Sequence, residues 1–267
     1  MIYIKTPEEI ELTRAACDLC SRTLGEVARW VAPGVTTRRL DTIAREFILD
    51  NGGKPACLGY HGFPGTLCIE VNETVVHGFP SGYELREGDI VGTDCVVELN
   101  GFHGDSCYTF PVGEIDAKTE RLLDVTFESL YVGIELAVAG NRVGDISNAV
   151  QRYCESNGYS VVREMCGHGI GKSMHEDPEI PNYGRRGVGP VLKDGMLICI
   201  EPMINLGSKN IVIASNGWEC RTRDRKPSAH YEHTILIKGD TPEILTTFDY
   251  IDRALEESEQ DKSQSKE

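Results

Sequence analysis

Two spacings of apolar residues alternate along this chain. Leu40, Ile43, Ala44, Phe47 and Ile48 recur at intervals of three and four, which predicts a helix with one buried face. That helix follows "PGVTT" and stops at Asn51-Gly52-Gly53, a suitable C-cap. An earlier helix begins where Thr6 can cap, Pro7 suits the first helical position and Glu9 completes a capping box. Elsewhere the spacing changes. "DIVGTDCVVEL", "FHGDSCYTFPVG", "MLICIEPMI" and "YEHTILIKG" read as strands. They come as hairpin-like runs rather than singly between helices, which favours an α+β layout with an antiparallel sheet.

The helical pattern also repeats. "PGVTTRRLDTIAREFILDNGG" (33–53) aligns with "AGNRVGDISNAVQRYCESNGY" (139–159), matching Gly34 with Gly140, Leu40 with Ile146, Phe47 with Tyr153 and Asn51-Gly52 with Asn157-Gly158. Longer helical stretches, 7–30 and 117–138, precede the two copies, and strand-like sequence follows each. Two related halves about a pseudo-twofold axis are the expectation, although amphipathic helices also resemble one another by chance.

One hairpin raises a chemical question. In "DCVVELNGFHGD", Asn100-Gly101 is a strong tight-turn signal. Pairing outward from that turn sets Val96 opposite Asp105, with Asp94 diagonal to it and on the same face. Two carboxylates on one half-buried face repel each other unless a cation lies between them.

Composition narrows the class. The chain has 267 residues, 40% of them hydrophobic, enough for a sizeable core in residues 1–252. The end, "LEESEQDKSQSKE", is polar and charged, and residues 253–267 are expected to form a disordered tail. The first residues show no signal-peptide pattern, and no apolar run approaches the roughly 18 residues of a membrane span. A cytoplasmic protein without a membrane partner is the default. A net charge of −15 argues against binding nucleic acid. The ten cysteines are scattered and mostly lie in apolar runs, so reduced, buried thiols are expected. Cys17 and Cys20 form the only C-x-x-C, on a helix and without a second pair. "CGHGIG" lacks the spacing and the Lys-Ser/Thr ending of a phosphate loop.

Further acidic and imidazole groups stand at strands or beside glycines: His168 in "MCGHGIG", His175 in "GKSMHEDP", Glu201 in "ICIEPM" and Glu232 in "AHYEHTILI". Each alone reads as well as a turn histidine or a strand-end glutamate. Together, Asp94, Asp105, His168, Glu201 and Glu232 supply what a binuclear site needs, four hard carboxylates and one imidazole, suited to Mn, Fe, Co or Zn.

The motifs "IKTPEEIE", "CLGYHGFP", "VNETVVHGFP", "GFHGDS", "VVREMCGHGIG", "MHEDPEIPNY", "IEPM" and "YEHT" stand in the order and spacing of the type I methionine aminopeptidases, and the chain resembles that family over nearly its whole length. The resemblance implies the pita-bread fold, a pseudo-symmetric α+β domain. It implies two divalent metal ions (Co, Mn, Fe or Zn) held by the five residues above, with Asp94 and Glu232 bridging, Asp105 on one ion, and His168 and Glu201 on the other. The implied activity is hydrolytic removal of an N-terminal methionine from nascent polypeptides, with a small second residue preferred. Glu201 is then the proton shuttle, His175 stabilises the tetrahedral intermediate and His77 holds the scissile amide region.

By the same likeness Cys57, Tyr60, Phe63, Cys68, His77, Met174 and Trp218 form the methionine pocket. Phe63 stands where Tyr is common, Met174 where Phe is common, and Val96 where many relatives carry Thr. A monomer acting near the ribosome is the implied setting. Peptidases of the prolidase or aminopeptidase P kind share the ligand set but usually carry an additional N-terminal domain, for which the start at Thr6 leaves no room. A non-enzymatic peptide-binding module on this fold would have lost ligands that this chain retains.

Overall fold

The structure, a computed structural model, describes residues 1–264. Helix α1 (Pro7–Ala28) starts with the expected capping box, the Thr6 and Glu9 side chains each accepting from the other's backbone N–H. Helix α2 (Thr37–Asp50) ends at Asn51, and Gly52 takes the left-handed conformation at φ 77° that a helix stop requires. Helices α3 (Ala117–Ile134) and α4 (Val143–Ser156) form the second pair.

The two pairs are joined to the sheet alike. Gly34 N–H donates to Leu85 O and Leu85 N–H to Val35 O, at 2.7 and 2.9 Å. Gly140 N–H donates to Leu192 O and Leu192 N–H to Asn141 O, at 2.9 and 2.8 Å. The segments they grip, "LREGDI" and "LKDGML", lead into the strands Ile90–Leu99 and Leu197–Ile200. The duplication thus extends beyond the helices, and it superimposes Asp94 on Glu201, each four residues past its segment's last residue.

All pairs in the nine-stranded sheet are antiparallel, as expected. Its spine runs from Lys54–Pro55 through Ile90–Leu99, Phe102–Pro111, Glu232–Leu236, Leu197–Ile200 and Gly167–Gly169 to Glu176–Ile180. The Asn100-Gly101 turn has φ values of 53° and 80°, and the register sets Val96 opposite Asp105 and Asp94 opposite Cys107. Helix α1 lies on the strand beside it at close range: a Cβ at Gly104 would come within 2.4 Å of Cys17 N. Gly104 therefore fixes the depth of its neighbour Asp105.

The chain's end differs from expectation. Helix α5 (Asp249–Gln264) runs through most of the stretch read as a tail. Phe248, Ile251 and Ala254 are buried, and the helix crosses α1 at Gly25, where a Cβ would meet Tyr250 at 2.6 Å. A helical stripe, with an Arg29–Glu257 ion pair beside it, anchors a segment whose exposed face is charged. Residues 265–267 lie outside the described residues. All ten cysteines are free thiols, nine of them buried. No helix among the described residues is long and apolar enough to cross a membrane.

Candidate metal centre

The five candidate ligands stand side by side at the middle of the large sheet. Asp94 lies on Ile90–Leu99, Asp105 on Phe102–Pro111, Glu232 opens Glu232–Leu236, Glu201 follows Leu197–Ile200, and His168 is the centre of Gly167–Gly169. The glycines around His168 serve packing rather than a turn. A Cβ at Gly167 would lie 2.3 Å from Cys199 O and one at Gly169 would lie 2.3 Å from Asp177 O, so only glycine lets both neighbouring strands close on the histidine.

His168 is presented in one tautomer. Its Nδ1 lies 2.9 Å from Gly169 O, which can only accept, so the ring proton sits on Nδ1 and the Nε2 lone pair faces the site. Burial pushes this imidazole down to about 3, which keeps it neutral. His168 Nε2 is 3.6 Å from Glu201 Oε1 and 3.7 Å from Asp105 Oδ2. Asp94 Oδ1, Asp105 Oδ1 and Glu232 Oε1 are buried with no hydrogen-bond partner. Burial first, and then neighbouring carboxylates, push Asp105, Glu201 and Glu232 well above the ordinary carboxylate range. Orphaned oxygens and mutual repulsion are the marks of a site shaped for cations. Hard carboxylates with one neutral imidazole fit divalent ions of the Mn, Fe, Co and Zn group.

Asp105, His168, Cys199 and Glu232 each offer one atom within 4.8 Å of the others, a group that contains neither Asp94 nor Glu201. Asp105, from the inner strand, reaches the His168 side, whereas Asp94 stands one strand farther away. Cys199 joins the group by proximity only: its thiol pairs with the Thr234 hydroxyl at 3.6 Å, and burial raises it far enough to stay protonated.

A cleft of about 710 Å³ opens over the five residues. One wall is apolar: Cys57, Phe63, Cys68, Val96 and Met174 are buried together, with Ala56, Phe79 and Trp218 against them. The Phe63 ring meets Phe79 and Trp218 edge to face, both at 5.3 Å. Of the expected pocket residues, Cys57, Phe63, Cys68, Met174 and Trp218 meet in this wall, and Val96, Phe79 and Ala56 join them. Tyr60 stands at the rim, its hydroxyl 3.1 Å from His175 Nδ1, and the His175 ring lies 4.4 Å from that of His168. His77 is half-buried beside Trp218, and its φ of 59° turns it toward the cleft lining from the end of Thr74–Val76. Burial, then the neighbouring histidines, hold His77 down at about 4.

Two residues at the site escape a reading of isolated motifs. His230 lines the cleft, and Glu70 pairs with it from behind. The available signals are His230 at i−2 from Glu232, hence on the same strand face, and a glutamate inside the apolar run "LCIEV".

Comparison with known proteins identifies the family. Residues 11–239 match metallopeptidase family M24. A methionine aminopeptidase of Clostridium perfringens is 52% identical over 92% of this chain and 99% of its own length. The crystal structure of methionine aminopeptidase from Rickettsia prowazekii superimposes with a TM-score of 0.91 at 42% identity, covering 92% of this chain and all of that one, 100%. A prolidase from Pyrococcus horikoshii shares the pita-bread fold at a TM-score of 0.75 and 20% identity, this chain covering 64% of it. The chain belongs to metallopeptidase family M24 and, within it, to the methionine aminopeptidases.

Proposed function

We infer that this protein is a metal-dependent aminopeptidase that hydrolyses the peptide bond after an N-terminal methionine. The observation that carries the metal site is the meeting of four carboxylates and one neutral imidazole on adjacent strands, with three carboxylate oxygens lacking any partner. Asp94, Asp105, His168, Glu201 and Glu232 would hold two divalent ions, Asp105 standing nearer than Asp94 to the His168 side. When bound, such ions polarise the scissile carbonyl and let water ionise near neutral pH.

The chain's own residues supply the rest. Glu201 is buried and poised to take the proton of the attacking water and hand it to the leaving amine. Asn182 holds it in place by donating to Glu201 O at 2.8 Å. The Tyr60 hydroxyl is hydrogen-bonded to His175 Nδ1, an arrangement in which the hydroxyl as donor would leave a proton on His175 Nε2 for the oxygen that gains charge. His77, neutral above about 4, serves as an uncharged partner for the amide beside the cleaved bond. The methionine side chain enters the wall of Cys57, Phe63, Cys68, Met174 and Trp218, where sulfur and ring edges suit a thioether.

A small residue after the methionine, nascent chains as substrates, the cytoplasm as the setting and the ribosome as a docking partner complete the reading. The test is release of free methionine from Met-Gly-Met by protein loaded with Mn or Co, set beside X-Pro and Met-Leu peptides. Rapid release from Met-Gly-Met alone is expected. Preferential cleavage of X-Pro peptides would overturn the substrate assignment.

A further inference from the structure

We propose that His230, oriented by Glu70, is an additional metal ligand of this centre. The proposal rests on the two-ion reading above and extends it from five protein ligands to six. His230 and Glu70 are each only 2% exposed, so neither is a surface group that happens to face the cleft. Both oxygens of Glu70 lie 3.2 Å from His230 Nδ1. A carboxylate accepts, so a ring proton is held at Nδ1 and Nε2 is aimed the other way. That Nε2 atom is buried without any hydrogen-bond partner, and His230 lines the cleft. A carboxylate behind an imidazole whose far nitrogen is free is the arrangement by which proteins orient histidine toward a metal.

The distance fits a shared ion. His230 Nε2 is 3.9 Å from Glu201 Oε2, too long for a hydrogen bond. With nitrogen and oxygen each roughly 2.0–2.2 Å from a metal, two donors on one ion stand at most about 4.4 Å apart. Glu201 thereby stands between two imidazoles, His168 Nε2 at 3.6 Å from Oε1 and His230 Nε2 beside Oε2.

The pair is built into the sheet. Glu70 on Leu67–Val71 lies opposite Gly92, where a Cβ would come within 2.5 Å of Glu70 Oε2. Only glycine there leaves room for the carboxylate behind His230. Glu70, Cys107 and His230 also offer three donor atoms within 4.8 Å of one another. A separate ion among them is disfavoured because Glu70 already binds Nδ1, the Cys107 thiol is turned to Glu70 and His230 O, and neither Glu70 nor Cys107 lines the cleft.

The test uses the full-length chain, stripped with chelator and loaded with Co(II). Each ligating imidazole with a protected Nδ1–H gives one exchangeable proton resonance shifted far downfield by the paramagnetic ion. Two are expected in the unaltered protein, from His168 and His230, and one in His230→Gln. Glu70→Gln, which keeps the imidazole, should weaken Co(II) binding ten- to a hundredfold. Circular dichroism establishes that both variants fold, and His168→Gln identifies the other resonance. A single shifted resonance that persists in His230→Gln would overturn the proposal while leaving the metal reading intact. Absence of Co(II) binding and of any shifted resonance would overturn both.

Discussion

Asp105 Oδ2 and His168 Nε2 stand 3.7 Å apart, although they come from opposite halves of the duplicated chain. The contact exists because Phe102–Pro111 and Gly167–Gly169 approach the same point from either side of Glu232–Leu236 and Leu197–Ile200. On the proposed two-ion reading, it places Asp105 rather than Asp94 where one carboxylate would serve both. Asp105→Ala should therefore lose both equivalents of metal, and Asp94→Ala only one. Metal content of the desalted proteins checks this. Retention of one ion by Asp105→Ala, with both lost from Asp94→Ala, would restore Asp94 to the bridge.

Glu201→Gln keeps the side chain's shape and leaves Asn182 bonded to the main-chain carbonyl. The backbone should hold, while the proton carrier is gone. General acid–base catalysis contributes about 10²–10⁴-fold, so kcat on Met-Gly-Met should fall by that factor at saturating metal. Turnover within a few-fold of the unaltered protein would remove Glu201 from the proton-transfer role.

The pocket wall predicts selectivity. Phe63 is buried between Phe79 and Trp218, so Phe63→Leu opens space beside the bound side chain and loosens the ring cluster. A methylene-sized misfit costs roughly 1–3 kcal/mol, so kcat/KM for methionyl peptides should drop about tenfold or more, with norleucyl peptides less affected. Measured kcat/KM for the two series decides it. Equal losses would mean that Phe63 supports the fold without reading the side chain.

Much of this site was legible in local patterns. Asn100-Gly101 fixed the hairpin register, and with it the shared face of Asp94 and Asp105. The matched helices announced the duplication. The parts that stayed hidden depend on distance across strands. Nothing in the motif around Asp105 tells that its oxygen lies nearer to His168 than Asp94's does, because order in the sheet is a tertiary fact. Glu70 sits inside the apolar run "LCIEV" with the same signature as Glu201 in "ICIEPM", and only its contact with His230 across the sheet sets it apart. Residues 253–267 read as a charged tail, whereas helix α5 runs to Gln264 and buries Ala254.

His77 offers a test through pH. Its folded-state value of about 4 lies below the ordinary 6.5, because burial and neighbouring histidines oppose the charged ring. The unfolded chain therefore binds more protons between those values, and this contribution to stability is complete above 6.5 and lost as pH falls toward 4. Asn tolerates the left-handed φ of 59°, so His77→Asn should fold and lose the effect. Melting temperatures at pH 7.5 and 5 should differ less in His77→Asn than in the unaltered protein. An identical decline in both would show that His77 titrates normally. Activity should fall in the variant at every pH, since the neutral ring is the working form.

Removal of metal tests the centre as a whole. Without cations, Asp94, Asp105 and Glu232 keep orphaned oxygens beside Glu201, so binding should stabilise the fold as well as enable turnover. An ion at a hundred times its dissociation constant adds about 2.7 kcal/mol, which for a chain of this size raises the melting temperature by roughly 5–10 °C. Exhaustive chelation should lower the melting temperature by that amount and abolish methionine release. Mn, Co, Fe or Zn should restore both, with Fe(II) added under anaerobic conditions. Activity that survives in protein verified to contain no metal would rule out the centre, and a melting temperature indifferent to metal would show that these carboxylates are stabilised by the protein alone.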